Sequence, residues 1–240
     1  MANIYSRNHM IIVNYPREGL VREIIETIQE LELQTEIFVL APTLKNLPFH
    51  LPRVDLVSGS VVSWDTYQRA EIEQAKKVLV LRSSEDPMIS DAVTASIVTL
   101  IKNHHPSLFV AAECLSQKHS ELFKMAKADS IIYSETILND VLSHSVLDPG
   151  TAEILATLIN KKSKHSIFRT LIGKLREYST YSFFSKRLLD QGYTVLAMRR
   201  ENQMFFHLHG ETLKHGDEVY YIGRHRLNWI EVKKEAKLPT

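Results

Sequence analysis

The chain has 240 residues, 44% hydrophobic and 24% charged, an ordinary globular composition with length for one large domain or two modest ones. A formal net charge of +1 argues against whole-molecule steering toward nucleic acid, so no nucleic-acid partner is expected. One cysteine, Cys114, excludes an intramolecular disulfide and fits a reducing compartment. No apolar run approaches the roughly 20 residues needed to cross a bilayer, and the first residues lack a signal-peptide pattern. The expectation is a cytoplasmic chain, free-standing or the soluble part of a membrane assembly.

Met10–Val13 is a short continuous apolar run, the mark of a parallel strand buried on both faces. Leu20, Ile24, Ile25, Ile28 and Leu31 then recur at helical spacing. Between them lies Asn14-Tyr15-Pro16-Arg17-Glu18-Gly19, where a dinucleotide-binding fold places G-x-G-x-x-G. Asn14 and Pro16 stand at the first two glycine positions, and only Gly19 is retained. The first glycine makes the tight turn and the second admits a pyrophosphate, so the turn argues against NAD or ATP.

Strands are expected at Glu36–Leu40, Val54–Ser58, Lys77–Leu81, Leu108–Ala112 and Ser130–Tyr133. Helices are expected at Asp65–Ala75, from Pro87 to about Asn103 with Ile89, Val93, Ile97, Leu100 and Ile101 on the inner face, and at Lys118–Lys127. This alternation implies βαβ units and a doubly wound, Rossmann-like parallel sheet of six strands, an α/β fold. Two helices follow, Thr136–His144 and Thr151–Ile159, then the basic linker Asn160–Ser166. Thr194–Arg199, Met204–His209 and Glu218–Ile222 alternate like half-exposed antiparallel strands, and a helix at Phe183–Gln191 ends at Gly192. This part reads as a small C-terminal α+β domain.

Several local patterns carry a resemblance. His9-Met10-Ile11-Ile12-Val13 is placed as a first strand; Val57-Ser58-Gly59-Ser60 precedes Asp65 and Ala70. Ala111-Ala112-Glu113 precedes Met125-Ala126-Lys127-Ala128-Asp129, and Ser143–Gly150 has the form of a crossover between two linking helices. In this order they resemble the RCK (regulator of K⁺ conductance; KTN or TrkA-type) family, with RCK-N at 8–135, linking helices at 136–160 and RCK-C at 165–230. The resemblance implies a regulatory module and not an enzyme: a homodimer assembling into an octameric ring, at the inner face of the membrane under a potassium channel pore. Its alternatives are a regulatory subunit of a potassium uptake transporter and, from another class, a nucleotide-dependent Rossmann oxidoreductase.

The candidate site residues are of two kinds. Asn14, Arg17 and Gly19 form the degenerate nucleotide loop; the acid expected after the second strand is absent at Ala41-Pro42-Thr43, and Ser60 replaces the acid after Gly59. Glu85, Asp86 and Glu113 lie beyond the fourth and fifth strands, where the resemblance implies a divalent cation such as Ca²⁺. Their other reading is as carboxylates favouring a helix N-terminus. The gating cofactor is otherwise unknown. His207 and His209 share a strand face and invite zinc, with a surface role as the rival, while Cys114 reads as a buried hydrophobe. Ile137, Val141, Leu142, Ile154, Leu155 and Leu158 of the linking helices await either a partner subunit or the chain's own C-terminal domain.

Overall fold

The computed structural model describes residues 8–160, 163–174, 180–201, 203–206 and 210–235. The chain divides into two compact units, 1–143 and 144–240, a boundary inside the predicted linking segment.

In the first unit, β1 (His9–Val13), β2 (Ile37–Ala41), β3 (Val54–Ser58), β4 (Ala75–Val80), β5 (Phe109–Cys114) and β6 (Ser130–Tyr133) form one parallel sheet in the order 3-2-1-4-5-6. β1 is central, and its successive side chains go to opposite faces. Ile11 and Val13 join Tyr67, Val78, Val80, Ile97, Val98 and Phe123; Ile12 joins Val21, Ile25, Ile37, Val39 and Phe49. Both faces are therefore dry, which is why the sequence runs are continuously apolar. Val21 and Ile25 belong to α1 (Glu18–Leu31).

The predicted helix after β3 is shorter than expected. α2 spans Trp64–Arg69, then Glu71 takes a left-handed φ of 52° and a 3-10 turn covers Ile72–Gln74. The predicted Lys118–Lys127 helix likewise divides into a 3-10 turn at Gln117–His119 and α4 (Ser120–Met125). The long helix α3 (Pro87–His104) matches in extent, and of its expected inner face Ile97 and Ile101 are buried and Val93 and Leu100 pack on the core, with Ile89 alone turned out. Ser90, Asp91, Thr94, Ile97, Val98, Ile101 and Lys102 are buried, whereas Ile89 is exposed. The two buried charged residues are bonded across to the loops of the sheet. Asp91 bonds the chain beyond β5, and Lys102 Nζ reaches Asp129 Oδ2 at 2.6 Å and the carbonyl of Leu108 at 2.8 Å.

α5 (Ser134–Leu147) and α6 (Thr151–Ile159) follow the sheet. In the second unit, β7 (Ser166–Leu171), β8 (Thr194–Arg200), β9 (Gln203–Phe205) and β10 (Glu218–Gly223) form an antiparallel sheet in the order 7-10-8-9. α7 (Tyr181–Asp190) and α8 (Trp229–Glu235) contribute Phe184, Leu188 and Val232 to its core, beside Tyr193, Met198, Val219 and Tyr221. Glycines admit two aromatic rings: a Cβ on Gly223 would lie 2.4 Å from Tyr193, and one on Gly173 2.4 Å from Trp229. Neither β7 nor α8 was expected as an element. In β7 the inward face holds Phe168, packed on the core, between the buried polar Ser166 and Thr170, while Leu171 faces out. The expected strand Met204–His209 is described only at its start, and His207 and His209 lie outside the described residues.

Candidate functional site

The strand order reverses between β1 and β4, and in open α/β sheets ligands enter the crevice at that point, beyond the carboxyl ends of the strands. Here the chain leaves β1 at Asn14, which has φ of 74°, the left-handed conformation that glycine or asparagine tolerates. Asn14 is buried. Its backbone N–H donates to Leu40 O at 2.9 Å and its Nδ2 to Leu81 O at 2.8 Å. One residue thus makes the turn and stitches β1 to the end of β4 across the crevice.

The other turn residues do not converge on a phosphate. Pro16 has no N–H to give. Arg17 is the N-cap of α1 with extended backbone and no side-chain cap, and Glu18 puts a carboxylate in the first turn. Gly19 has nothing within 4 Å of where a Cβ would stand, so no close approach requires a glycine there. β2 ends at Ala41, without a carboxylate for a ribose. A pyrophosphate therefore finds neither a glycine-lined approach nor a ribose acceptor. Tyr15 Oη and Arg82 Nε, beyond β1 and β4, are buried without a protein partner.

Glu85, Asp86 and Glu113 lie beyond β4 and β5 as the sequence implied, but their oxygens are turned to separate tasks. Asp86 caps α3, Oδ1 accepting from Met88 N at 2.9 Å and Ile89 N at 3.1 Å. Glu85 is exposed and pairs with Arg82 Nη2 at 3.1 Å. Glu113 is buried; Oε2 accepts from Arg82 N at 3.0 Å and Oε1 from Ser134 Oγ at 2.8 Å, tying β5 to the start of α5. A hard cation such as Ca²⁺ takes six to eight oxygens. Among the described residues no three His, Cys, Asp or Glu side chains are grouped to hold a metal ion, so these carboxylates do not fit one.

The sequence reading missed Asp91. It is 0% exposed, and it accepts from Leu115 N at 2.8 Å, Ser116 N at 3.0 Å and His119 Nδ1 at 2.8 Å. This carboxylate closes the β5–α4 turn. Its signal was a charged residue in register with Thr94, Val98 and Ile101 on the buried stripe of α3. Cys114 is buried beside it and donates to Ser116 O at 3.1 Å; burial and the adjacent Asp91 push its thiol up to about 12, away from thiolate chemistry. Three other histidines serve separate contacts: His104 stacks on Trp64, His105 faces Glu73 at 3.9 Å, and His225 meets the Tyr193 hydroxyl at 3.3 Å.

The linking helices bury no residue. Ile137, Leu138, Leu142, Val146 and Leu147 of α5 and Ile154, Leu155 and Ile159 of α6 are exposed, Val146 to 82%. So long an uncovered apolar run marks an interaction surface in a folded protein.

Residues 7–112 match the family described as the calcium-activated potassium channel slowpoke-like RCK domain. The human SLO3 gating ring is similar in fold, with a TM-score of 0.71 at 16% identity over 95% of this chain and 46% of that one. The GsuK RCK domain aligns at a TM-score of 0.47, 14% identity, 92% of this chain and 45% of that one. The TrkA-N domain of inner membrane protein ybaL from Escherichia coli aligns at 0.48, 17% identity, 59% of this chain and 98% of that one. The chain thus spans less than half the length of the first two. Among curated protein sequences none matches it. Residues 7–112, which hold β1 to β4 and most of β5, thus match the slowpoke-like RCK domain family, and the likeness of the whole chain to the SLO3 gating ring is one of fold.

Proposed function

We propose that the chain is a cytoplasmic gating-ring domain of a potassium channel, regulatory and not catalytic, at the inner face of the membrane beneath a pore. The slowpoke-like match and the likeness to the SLO3 gating ring support this reading. The observation that carries it beyond the fold is Asn14. A side chain that bonds Leu81 O across the switch point uses the dinucleotide crevice as a fixed joint between β1 and β4. The apolar helices α5 and α6 supply a surface for a second copy, and assembly into a ring gives that joint something to move. Ring geometry then biases the pore by population shift, through whatever binds one geometry better than another.

Thermal melting of the whole chain with NAD⁺, NADH, ATP and ADP beside Ca²⁺, Mg²⁺ and Zn²⁺ tests the reading, together with light scattering. The expected result is no shift with any nucleotide and a mass above that of one chain. A ligand at a hundredfold its Kd stabilises by about 2.7 kcal/mol, which raises the melting temperature by several degrees. A shift of that size with a nicotinamide cofactor, or a strict monomer at high concentration, overturns the proposal.

A further inference from the structure

The near-neutral chain conceals an imbalance between its two units. Of its 29 Lys and Arg and 28 Asp and Glu, residues 1–143 hold 13 and 18, and residues 144–240 hold 16 and 10. The first unit is therefore net −5 and the second net +6. What the excess in the second unit does depends on which of its cations are already paired. Arg169 and Arg199 share Glu218, and Arg200 pairs with Asp217 and Glu211. Lys164, Arg224 and Arg226 are exposed, and among the described residues no carboxylate pairs with them.

These three come from distant parts of the chain and meet at one end of the antiparallel sheet. β7 and β10 run in opposite directions, and the last pair at this end is Ser166 with Gly223. One step beyond it stand His165 on one side and Arg224 on the other. Lys164 comes next on the first, His225 and Arg226 on the second. Neighbouring strands lie about 4.8 Å apart, so the two basic segments leave the sheet side by side. Neither segment, 160–166 nor 223–228, contains an Asp or Glu, and the sequence sets Lys161 and Lys162 ahead of Lys164. The nearest acids along the chain are Asp190, at the end of α7, and Glu231, whose Oε2 accepts from Asn228 N at 2.7 Å.

Hydrogen bonds hold this arrangement in place. Leu227 N donates to Tyr221 Oη at 2.6 Å, and Thr170 Oγ1 donates to Leu227 O, anchoring the far end of the Arg224–Arg226 loop. Within the loop His225 meets the Tyr193 hydroxyl. Ser166 Oγ donates to Leu158 O at 3.0 Å and ties the start of β7 to α6. Like charges held side by side cost stability, and a partner of opposite charge removes that cost.

We propose that this end of the second sheet binds the anionic headgroups of a lipid bilayer. The cations are exposed and spread along two chain segments, a layout that matches a plane of phosphates, each Lys or Arg meeting its own. Such attraction adds up charge by charge and decays within a Debye length, so it grows with the anionic fraction of the membrane and weakens with salt. The surface uses neither α5 nor the crevice at Asn14, and the proposal does not rest on the gating-ring reading.

Cosedimentation of the whole chain with vesicles of phosphatidylcholine alone, or of phosphatidylcholine mixed with phosphatidylserine, reads the contact. Binding is expected to the mixed vesicles only and should fall as salt is raised. Each cation near an anionic surface is worth about a fivefold change, so Lys164→Gln should weaken binding about fivefold and Arg224→Gln with Arg226→Gln about 25-fold. Lys174→Gln with Lys214→Gln removes two exposed cations from the opposite end of the sheet, after β7 and before β10, and should leave binding within about twofold. Thermal melting checks that every variant is folded. Equal binding to the phosphatidylcholine vesicles, undiminished binding by the Arg224 and Arg226 variant, or an equal loss in the Lys174 and Lys214 variant overturns the proposal. Tighter binding of the parent chain to duplex DNA than to the mixed vesicles, lost in the same variants, would assign the surface to nucleic acid and overturn it as well.

Discussion

At the scale of single residues, Asn14 and His9 each turn one side chain into a structural fastening. Asn14 combines a left-handed backbone with a buried bond to Leu81 O, and the two requirements separate on mutation. Asn14→Ala removes the bond and strains the backbone, for a cost of about 2–3 kcal/mol. Asn14→Gly removes the bond alone, for about 1 kcal/mol. Urea unfolding should rank the alanine variant below the glycine variant; the reverse order would mean that the turn is not held as described. His9 is buried at the start of β1, its Nε2 donating to Ala70 O at 2.9 Å. Burial lowers its pKa below the usual 6.5, against the opposing pull of the Ala70 carbonyl and of Glu71 and Glu36. As pH falls below 6.5 the unfolded chain takes up a proton at this position before the folded chain does, so stability declines from there down to the lowered pKa. His9→Gln should flatten that decline relative to the parent chain in urea midpoints measured from pH 7.5 downward. Parallel profiles for the two proteins would remove His9 as the cause.

At the scale of elements, facing decides more than extent. α3 buries Ile97 and Ile101 as its apolar spacing suggests, yet it also buries Asp91 and Lys102 and leaves Ile89 exposed. Apolar spacing alone does not mark these two charged residues, because each is buried only together with its hydrogen-bond partners. α5 shows the opposite case, an apolar helix with no buried residue at all. Its surface is the natural seat of a second copy under the gating-ring reading. Leu138→Glu combined with Leu142→Glu should lower the mass seen by light scattering while leaving the far-ultraviolet circular dichroism unchanged. Full assembly in that variant would move the interface away from α5.

At the scale of the whole molecule, two separately cored units carry opposite charge, −5 and +6, so a net charge of +1 conceals the strongest electrostatic feature of the chain. Total charge is silent on self-association, which depends on where the charges stand. An interface made by the apolar α5 and α6 should therefore persist at high salt, which light scattering across a salt series checks.

The sequence by itself determined the α/β class, the six parallel strands and the altered turn after β1, because continuous apolar runs, helical spacing and missing glycines are local properties. It also placed Glu85, Asp86 and Glu113 beyond the right strands. Only the tertiary structure decided what those groups do. Glu113 serves Arg82 N and Ser134, Asp86 caps α3, and Asn14 reaches Leu81, 67 residues away. Asp91 closes a turn 24 residues on, and β7 sets a buried serine and threonine beside Phe168 on its inward face. A hydrogen bond is set by distance and direction between groups far apart in the chain, and no periodicity along the chain encodes those.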